Sequence, residues 1–189
     1  MCLLVPITVQ AVELRSVVVE REDGLFMLES EVWFNAEREA LYEVFLNYDL
    51  THQFTSFVVD SRNLEPDELG RRRFFISNQG CVWFICRSFE RTGHVEHVPP
   101  EVIHSTADPE LSDFHASIES WEFTPEGDGT VVVYKFQFKP KFWLPPVIGP
   151  YVLQRKLELD SDHALSRIER LAQENAGEDV STGTTSATP

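Results

Sequence analysis

Apolar side chains recur with a period of two in two stretches of the chain, residues 25–34 and residues 130–139. A period of two is typical of a strand with one buried and one wet face, and it favours an antiparallel sheet. Between these stretches the period becomes helical over residues 36–48 and then returns to strand-like runs. The apolar face of the second stretch consists of Val132, Tyr134, Phe136 and Phe138.

Turn residues between the apolar runs set the order of the predicted elements. Tight turns are indicated at Asp23-Gly24, at residues 78–80 and at residues 127–129, where Gly, Asn and Asp cluster. The predicted order is strand, strand, helix, about six strands and a long terminal helix. The predicted strands are residues 12–22, 25–34, 57–64, 71–77, 81–98, 102–107, 114–123 and 130–139.

Helices are predicted early in the chain and at its end. Asn35 can cap a helix that starts at Ala36, and a short helical turn follows at residues 50–54. The terminal helix begins at Pro150, since proline suits a first helical turn. Its apolar stripe consists of Leu153, Leu157, Ala164, Leu165, Ile168 and Leu171.

Residues 80–87, GCVWFICR, place six apolar residues, from Cys81 to Cys86, in an unbroken row between a glycine and an arginine. If the turn lies at residues 78–80, both cysteines lie on one strand, about 16 Å apart and facing opposite sides, so no disulfide can form. If residues 82–85 form the loop instead, the cysteines face each other and a bridge forms easily. The first arrangement is favoured by the turn-forming residues Asn-Gln-Gly at 78–80. The second would be favoured by an exported location, where disulfides form readily. We expect free thiols, on a strand that is buried on both faces.

The charge balance excludes some functions. The chain has 31 acidic and 16 basic residues, a formal net charge of −15, and lacks the basic stripe that a nucleic-acid interface needs. No run reaches the roughly 18 apolar residues of a transmembrane span. Fourteen Phe, four Trp and four Tyr indicate a wide apolar interior.

Both ends of the chain differ from its centre. Residues 1–11 are either a short signal-like segment or a disordered start; they are apolar but shorter than the usual leader of about 15–30 residues and have no positive n-region. We prefer export to the periplasm over a cytoplasmic location. Residues 12–174 form the predicted ligand-binding domain, and the polar residues 175–189 a disordered tail.

Three segments together resemble the START-like (SRPBCC, helix-grip) superfamily, in particular its coenzyme Q-binding and polyketide cyclase/dehydrase branch. The first is the strand–helix–strand segment VWFNAEREALYEVFLNYDLTHQFTSFVVDSRNLE, at residues 32–65. The others are the strand pair WEFTPEGDGTVVVYKFQFKP and the proline-led helix PPVIGPYVLQRKLELDSDHALSRIERLAQ. The resemblance covers roughly residues 12–173. It implies an α+β fold in which a curved antiparallel sheet wraps around a long C-terminal helix, with an apolar cavity between them.

The sequence gives no convincing catalytic or metal-binding group. The six histidines lack the i, i+4 spacing of a zinc protease, and nucleotide and nucleophile-elbow motifs are missing. His115, Glu119 and Asp113 could form an acid–base group, but a polar outer strand face explains them better. We therefore predict no catalytic residue, no metal and no cofactor.

The predicted function is binding or carriage of a hydrophobic small molecule of lipid, quinone or isoprenoid type in the cavity. The alternative is a polyketide cyclase or aromatase that acts on an apolar substrate there. His104 and Tyr134 are expected to orient the ligand. Residues 142–149 are expected to form the cavity rim and to make transient membrane contact. The predicted ligand-binding residues are Phe75, Trp83, Phe84, Phe89, His104, Phe114, Ile118, Tyr134, Phe136, Phe138, Trp143, Leu153, Leu157 and Leu165.

Overall fold

A computed structural model describes residues 11–82, 85–143 and 150–182. Its described residues form one antiparallel sheet of eight strands in the order β1-β2-β8-β7-β6-β5-β4-β3, with the helices α1 and α2 between β2 and β3 and a long helix α3 at the end. The strands are β1 (Glu13–Glu22), β2 (Leu25–Phe34), β3 (Val58–Leu64), β4 (Arg72–Val82), β5 (Ile85–Val98), β6 (Val102–Ala107), β7 (Phe114–Glu126) and β8 (Gly129–Pro140). The helices are α1 (Arg38–Leu46), α2 (Tyr48–Thr51) and α3 (Pro150–Thr182), with a 3-10 turn at Pro109–Leu111.

This arrangement confirms the predicted α+β architecture, a curved antiparallel sheet with a long C-terminal helix. The turn between β1 and β2 lies at Asp23-Gly24, where both residues have positive φ angles, 48° and 82°. Such a pair matches the right-handed twist of a two-residue hairpin. Because β8 pairs with β2 as well as with β7, the first hairpin is joined to the later strands in one continuous sheet.

The apolar core lies on one side of the sheet, which we call the inner face. It carries Phe74, Val95, Ile103, Phe123 and Val132, all buried. Helices α1 and α2 cover this part of the face, and α3 contacts both α1 and β1. In the same core cluster the helices contribute Leu41, Tyr42, Val44, Leu46, Tyr48, Ile168 and Ala172.

Two helix boundaries differ from the predictions. Helix α1 begins at Arg38, not at Ala36, and the backbone N–H of Asn35 donates to the Glu169 carboxylate of α3 at 2.8 Å. The Asn35 segment therefore contacts α3 instead of capping α1. Helix α3 continues to Thr182, beyond the predicted end of the domain at residue 174, so the segment that follows residue 174 starts as helix.

The prediction for the two cysteines is wrong. Strand β4 continues through the expected turn at residues 78–80, where Asn78 is buried, and pairs with β5 up to Val82 opposite Ile85. Cys81 therefore lies directly opposite Cys86, and Cys86 is disulfide-bonded. The apolar row belongs to two strands instead of one; Trp83 and Phe84 between them lie outside the described residues. Cross-strand pairing along β4 outweighs the local turn preference of Asn-Gln-Gly.

Candidate ligand-binding site

Aromatic side chains form a continuous row along the inner face. Phe114 packs edge-on against Phe138 with ring centroids 6.0 Å apart, and Phe138 stacks on Phe136 at 4.7 Å. Phe136 in turn stacks on Tyr134, and Tyr134 on Trp121 at 5.3 Å. Four strands contribute to the row, since Phe89 of β5 and Phe26 of β2 pack against its Phe114 and Phe138 rings.

Part of this row is incompletely covered. Tyr134, Phe136 and Phe138 point inward from β8 but remain partly exposed, whereas Val132 and Phe123 on the same face are buried. The inner face therefore has two regions. One is a packed core beneath α1 and α2, and the other is an aromatic surface that is incompletely covered, as expected of a ligand-binding interior.

A buried ion pair lies on the inner face beside the aromatic row. Arg91 Nη1 of β5 donates to Glu119 Oε1 of β7 at 2.8 Å, with side chains only 5% and 6% exposed. Glu119 also accepts hydrogen bonds from the hydroxyls of Tyr134, at 2.7 Å, and Ser105, at 3.1 Å. The guanidinium carbon of Arg91 lies 4.8 Å from the centre of the Phe136 ring. Glu119 is thus fully engaged, while Arg91 faces the row.

Three hydrogen-bonding atoms of this cluster are buried without a partner among the described residues. They are Nε and Nη2 of Arg91 and the hydroxyl of Tyr48. Ser105 lies near that hydroxyl but donates to Glu119 instead. Buried polar atoms are nearly always satisfied, because an unsatisfied one costs roughly 1–3 kcal/mol. Three such atoms in one cluster leave hydrogen-bond donors unused on the inner face.

Both tyrosines of the cluster retain their protons. Burial raises the pKa of Tyr48 and of Tyr134 well above the ordinary value, and the Glu119 carboxylate raises both further. The nearby Glu119 charge likewise raises the pKa of Arg91 against the opposing effect of burial. At neutral pH the cluster therefore presents O–H and N–H donors, a set suited to an acceptor oxygen of a ligand.

The structure brings several predicted site residues together on the inner face. Five of them lie there with the aromatic contacts described above. In α3, Leu157 and Leu165 are partly buried, and Leu165 packs against the core cluster. The five inner-face residues are Phe89, Phe114, Tyr134, Phe136 and Phe138.

Three predicted site residues lie on the opposite, outer face, and their assignment to the cavity is wrong. Phe75 stacks against the Arg62 guanidinium at 4.1 Å, while its neighbour Phe74 is fully buried inside. His104 is exposed, and Ile118 is 41% exposed.

A β-bulge explains the error for Ile118. The register of β7 shifts between Phe114 and Ala116. Strict alternation from Phe114 would place Ile118 inside; the bulge turns Ser117 and Glu119 inward instead. Because of the bulge, the exposed His115 and the buried Glu119 lie on opposite faces of the sheet. The acid–base group of His115, Glu119 and Asp113 therefore does not form.

The remaining predicted residues lie at the edge of the structure or outside it. Trp143 is 70% exposed and does not line the aromatic row. Trp83 and Phe84 lie outside the described residues, as does the side chain of Leu153.

Sequence reasoning missed Arg91 and Tyr48, and it placed Glu119 on a polar outer face although Glu119 is buried on the inner one. The sequence contained a signal for Arg91 and for Glu119. Arg91 is an even number of residues from Phe89 and Val95, and Glu119 is an even number from Trp121 and Phe123, and these four apolar residues lie on the inner face. A charged residue in phase with an apolar strand face points inward. Tyr48 had no such signal, because α2 has only four residues and its orientation depends on the sheet beneath it.

A separate pocket of about 370 Å³ lies beside the β3–β4 connection. It contains the Asp67–Arg71 ion pair, in which Arg71 Nε lies 2.7 Å from the Asp67 carboxylate, together with Arg73, His94 and the exposed Leu69. Its lining is mixed in charge and shares no residue with the aromatic row. Among the described residues, no group of three potential metal ligands occurs and no helix is long and apolar enough to cross a membrane.

A curved sheet with an aromatic inner face and a long C-terminal helix defines the START-like, helix-grip class of proteins. Within this class, the model of the family "Polyketide cyclase / dehydrase and lipid transport" matches residues 34–158, and the chain belongs to that family. No curated protein sequence matches the chain.

Solved structures show the same fold. The chain is similar to a STAR-related lipid transfer protein of Xanthomonas axonopodis, with a TM-score of 0.62, 18% identity, and coverage of 85% of this chain and 99% of that one. It is similar to a START superfamily protein of Mycobacterium smegmatis, with a TM-score of 0.61, 16% identity and coverage of 77% and 98%. For the ZhuI aromatase/cyclase of Streptomyces sp. R1128 the TM-score is 0.61, the identity 14% and the coverage 80% and 96%.

Proposed function

We propose that this protein binds and carries a hydrophobic small molecule that has an acceptor oxygen at one end, of lipid, quinone or isoprenoid type. The observation that carries the proposal is the buried Arg91, which has two free donors beside a partly exposed aromatic row. The family of the chain includes lipid transport proteins, which supports a hydrophobic ligand.

The apolar part of the ligand would lie along Tyr134, Phe136 and Phe138. These rings are partly exposed in the interior, so covering them removes apolar area from water at about 25 cal/mol per Å². Binding of this kind scales with area and tolerates different apolar chains. The row therefore supports the broad class of ligand.

The oxygen of the ligand would accept from Arg91 Nε or Nη2 and from the Tyr48 hydroxyl. A quinone carbonyl or a lipid carbonyl, carboxylate or hydroxyl meets this requirement, whereas a pure hydrocarbon does not. Because the donors are already desolvated, an acceptor that reaches them removes an existing cost. The polar end would therefore select among hydrophobic molecules.

Native mass spectrometry of freshly purified protein identifies a retained molecule, and titration of delipidated protein with that molecule gives its affinity. If the protein purifies empty, an alkyl-substituted quinone is the titrant. We expect saturable binding at one site per chain. A protein that carries nothing and binds neither quinones nor fatty acids would refute the proposal.

A matched pair of tyrosine variants tests the polar end. Tyr48→Phe removes a hydroxyl without a partner, so we expect a free energy of unfolding equal to the wild type or about 1 kcal/mol higher, and an affinity lower by roughly three- to tenfold. Tyr42→Phe is the control, because the Tyr42 hydroxyl is bound to His97 Nδ1 in the packed core. The control should lose about 1 kcal/mol of stability and keep the affinity. Equal affinity losses in both variants would contradict a ligand at Tyr48.

A second candidate function is cyclisation of a polyketide in the same interior. The donors of Arg91 and Tyr48 would hold the enolate oxygen that such a reaction forms. The reaction also needs a base, and the tyrosines of the cluster keep their protons. His97 also lies on the inner face, but its Nδ1 is bound to Tyr42. We therefore favour the carrier, and turnover of a poly-β-ketone substrate that is lost in Arg91→Met would favour the enzyme.

A further inference from the structure

The buried pair of Arg91 and Glu119 carries one positive and one negative charge, and the two balance each other. Arg91 Nη1 donates to Glu119 Oε1 at 2.8 Å, and both side chains are almost fully buried. The other hydrogen bonds of Glu119 come from neutral hydroxyls, those of Tyr134 and Ser105. The guanidinium therefore offers its free N–H groups to a ligand while its charge is already matched by a carboxylate.

Aromatic rings flank the Arg91 guanidinium. Its central carbon lies 4.8 Å from the centre of the Phe136 ring and 5.6 Å from the centre of the Phe74 ring. Charges in such surroundings are weakly screened, so the charge of Glu119 acts on any group that approaches Arg91. Arg72 also acts on this cluster, but its side chain is exposed and solvent weakens its effect.

The free donors of Arg91 fit two kinds of oxygen by geometry alone. Its Nε–H and one N–H of Nη2 point to the same side of the guanidinium, a fork that suits a carboxylate as well as a carbonyl. The electrostatics separate the two. A carboxylate would lose its hydration and would meet Glu119 as well as Arg91, so repulsion cancels much of the attraction. A neutral carbonyl accepts the same hydrogen bonds without a second negative charge.

We propose that Glu119 is a specificity-determining residue, which disfavours ligands with an anionic head and leaves those with a neutral carbonyl, such as a ketone, an ester or a quinone. The inference rests on the proposed function, because it concerns the head of the same ligand. Glu119 acts through its charge and its hold on Arg91, since its own oxygens are engaged by Arg91, Tyr134 and Ser105. Free fatty acids should therefore bind more weakly than neutral lipids of the same chain length.

A matched pair of ligands tests this role of Glu119. Methyl decanoate and decanoate have the same chain and differ in the charge of the head, because decanoate is ionised at about pH 8. In titrations followed by tryptophan fluorescence, the wild type should bind the ester at least about tenfold more tightly. In Glu119→Gln this preference should fall by at least about tenfold, since the amide oxygen can still accept from Tyr134 while the charge of Arg91 becomes available to decanoate.

Glu122→Gln is the matched control for the total charge of the chain. Glu122 lies on the same strand, β7, but its side chain is 50% exposed and lies 3.6 Å from Lys135. The substitution removes one negative charge, as Glu119→Gln does, at a place where solvent screens it. This variant should keep the wild-type preference for the ester.

Three outcomes would overturn the inference and leave the carrier function standing. They are equal wild-type affinity for the two ligands, an unchanged preference in Glu119→Gln, and equal changes in the variants at Glu119 and Glu122. If Glu119→Gln is unfolded in isolation, decanoate and not the ester should restore its circular dichroism, and failure to do so also counts against the inference. Failure of the wild type to bind either ligand or an alkyl-substituted quinone would instead refute the carrier function, and the inference with it.

Discussion

The ion pair of Arg91 and Glu119 is the most unusual pair of residues in the described structure, because it joins two full charges inside an aromatic interior. Removing two ions from water costs more than their attraction commonly returns, so such pairs are weak evidence for stability. The cluster leaves two guanidinium donors unused. At the residue scale, the pair therefore supports the proposed recognition of a ligand more than a role in stability.

Substitution of this pair should give strongly non-additive effects. Arg91→Met or Glu119→Leu alone should lower the free energy of unfolding by about 3–5 kcal/mol, since each leaves an unpaired buried charge. The double variant should recover most of that loss while losing affinity for the ligand. Urea denaturation of the four proteins measures the coupling.

An exposed pair provides the control for these variants. Arg62 contacts Asp60 with both side chains about half exposed, so Arg62→Met should change stability by less than about 1 kcal/mol. A double variant at Arg91 and Glu119 that is as unstable as the worse single one would contradict the coupling.

At the element scale, the β4–β5 hairpin and α3 each have two roles. The hairpin places Phe89 and Arg91 on the inner face, and its end carries the disulfide of Cys86. Helix α3 contributes Ile168 and Ala172 to the core, while its first turn exposes Tyr151. The hairpin thus combines inner-face residues with a covalent link, and α3 combines core residues with an exposed ring.

The register of the hairpin predicts the partner of Cys86. Cys81 lies directly opposite on β4, so we expect peptide mapping under non-reducing conditions to find Cys81 linked to Cys86. The third cysteine, Cys2, should then react with an alkylating reagent in denaturant. A peptide that links Cys2 to Cys86 would contradict the pairing inferred from the register. As a control, Cys86→Ser should release one further reactive thiol, that of Cys81.

At the scale of the whole molecule, the excess of acidic residues dominates. A net charge of −15 at pH 7 opposes compaction, and the charge vanishes near the isoelectric point of 4.7. Specific hydrogen bonds to carboxylates have the opposite effect on stability, because they favour the folded state when these carboxylates are charged. The Asn63 amide lowers the pKa of Asp49, the backbone N–H of Arg71 that of Asp67, and the Arg15 guanidinium that of Glu126.

These two effects predict a maximum of stability in mild acid. A carboxyl whose pKa is lower in the folded state stabilises the fold above its unfolded pKa, and this contribution is lost as the pH falls through the folded value. Stability should therefore rise from pH 7 to about pH 5 as repulsion falls, and decrease below about pH 4. Thermal unfolding followed by circular dichroism at low protein concentration measures the profile.

Salt provides the control for the pH profile. In 0.5 M NaCl the rise between pH 7 and pH 5 should flatten, because screening removes most of the repulsion between exposed charges. A stability that falls steadily from pH 7 downward at low salt would show that the paired carboxylates outweigh the repulsion.

Local patterns in the sequence determined the fold class of this protein. The alternation in β2 and β8, the Asp23-Gly24 turn and the stripe of α3 each follow from a short-range period, so the order of the elements and the antiparallel sheet could be predicted. The same period identified Tyr134, Phe136 and Phe138 as residues of one face. Where no irregularity interrupts a strand, the sequence alone assigns its two faces.

The tertiary structure decided the features that depend on pairing between strands. The bulge in β7 turned Ile118 outward and Glu119 inward, and the pairing of β4 with β5 carried the strand past Asn78 and set Cys81 opposite Cys86. The cluster around Arg91 joins residues of α2, β5, β6, β7 and β8. Residues this distant along the chain meet only after the sheet has formed, because register is fixed by long-range contacts and not by the local period.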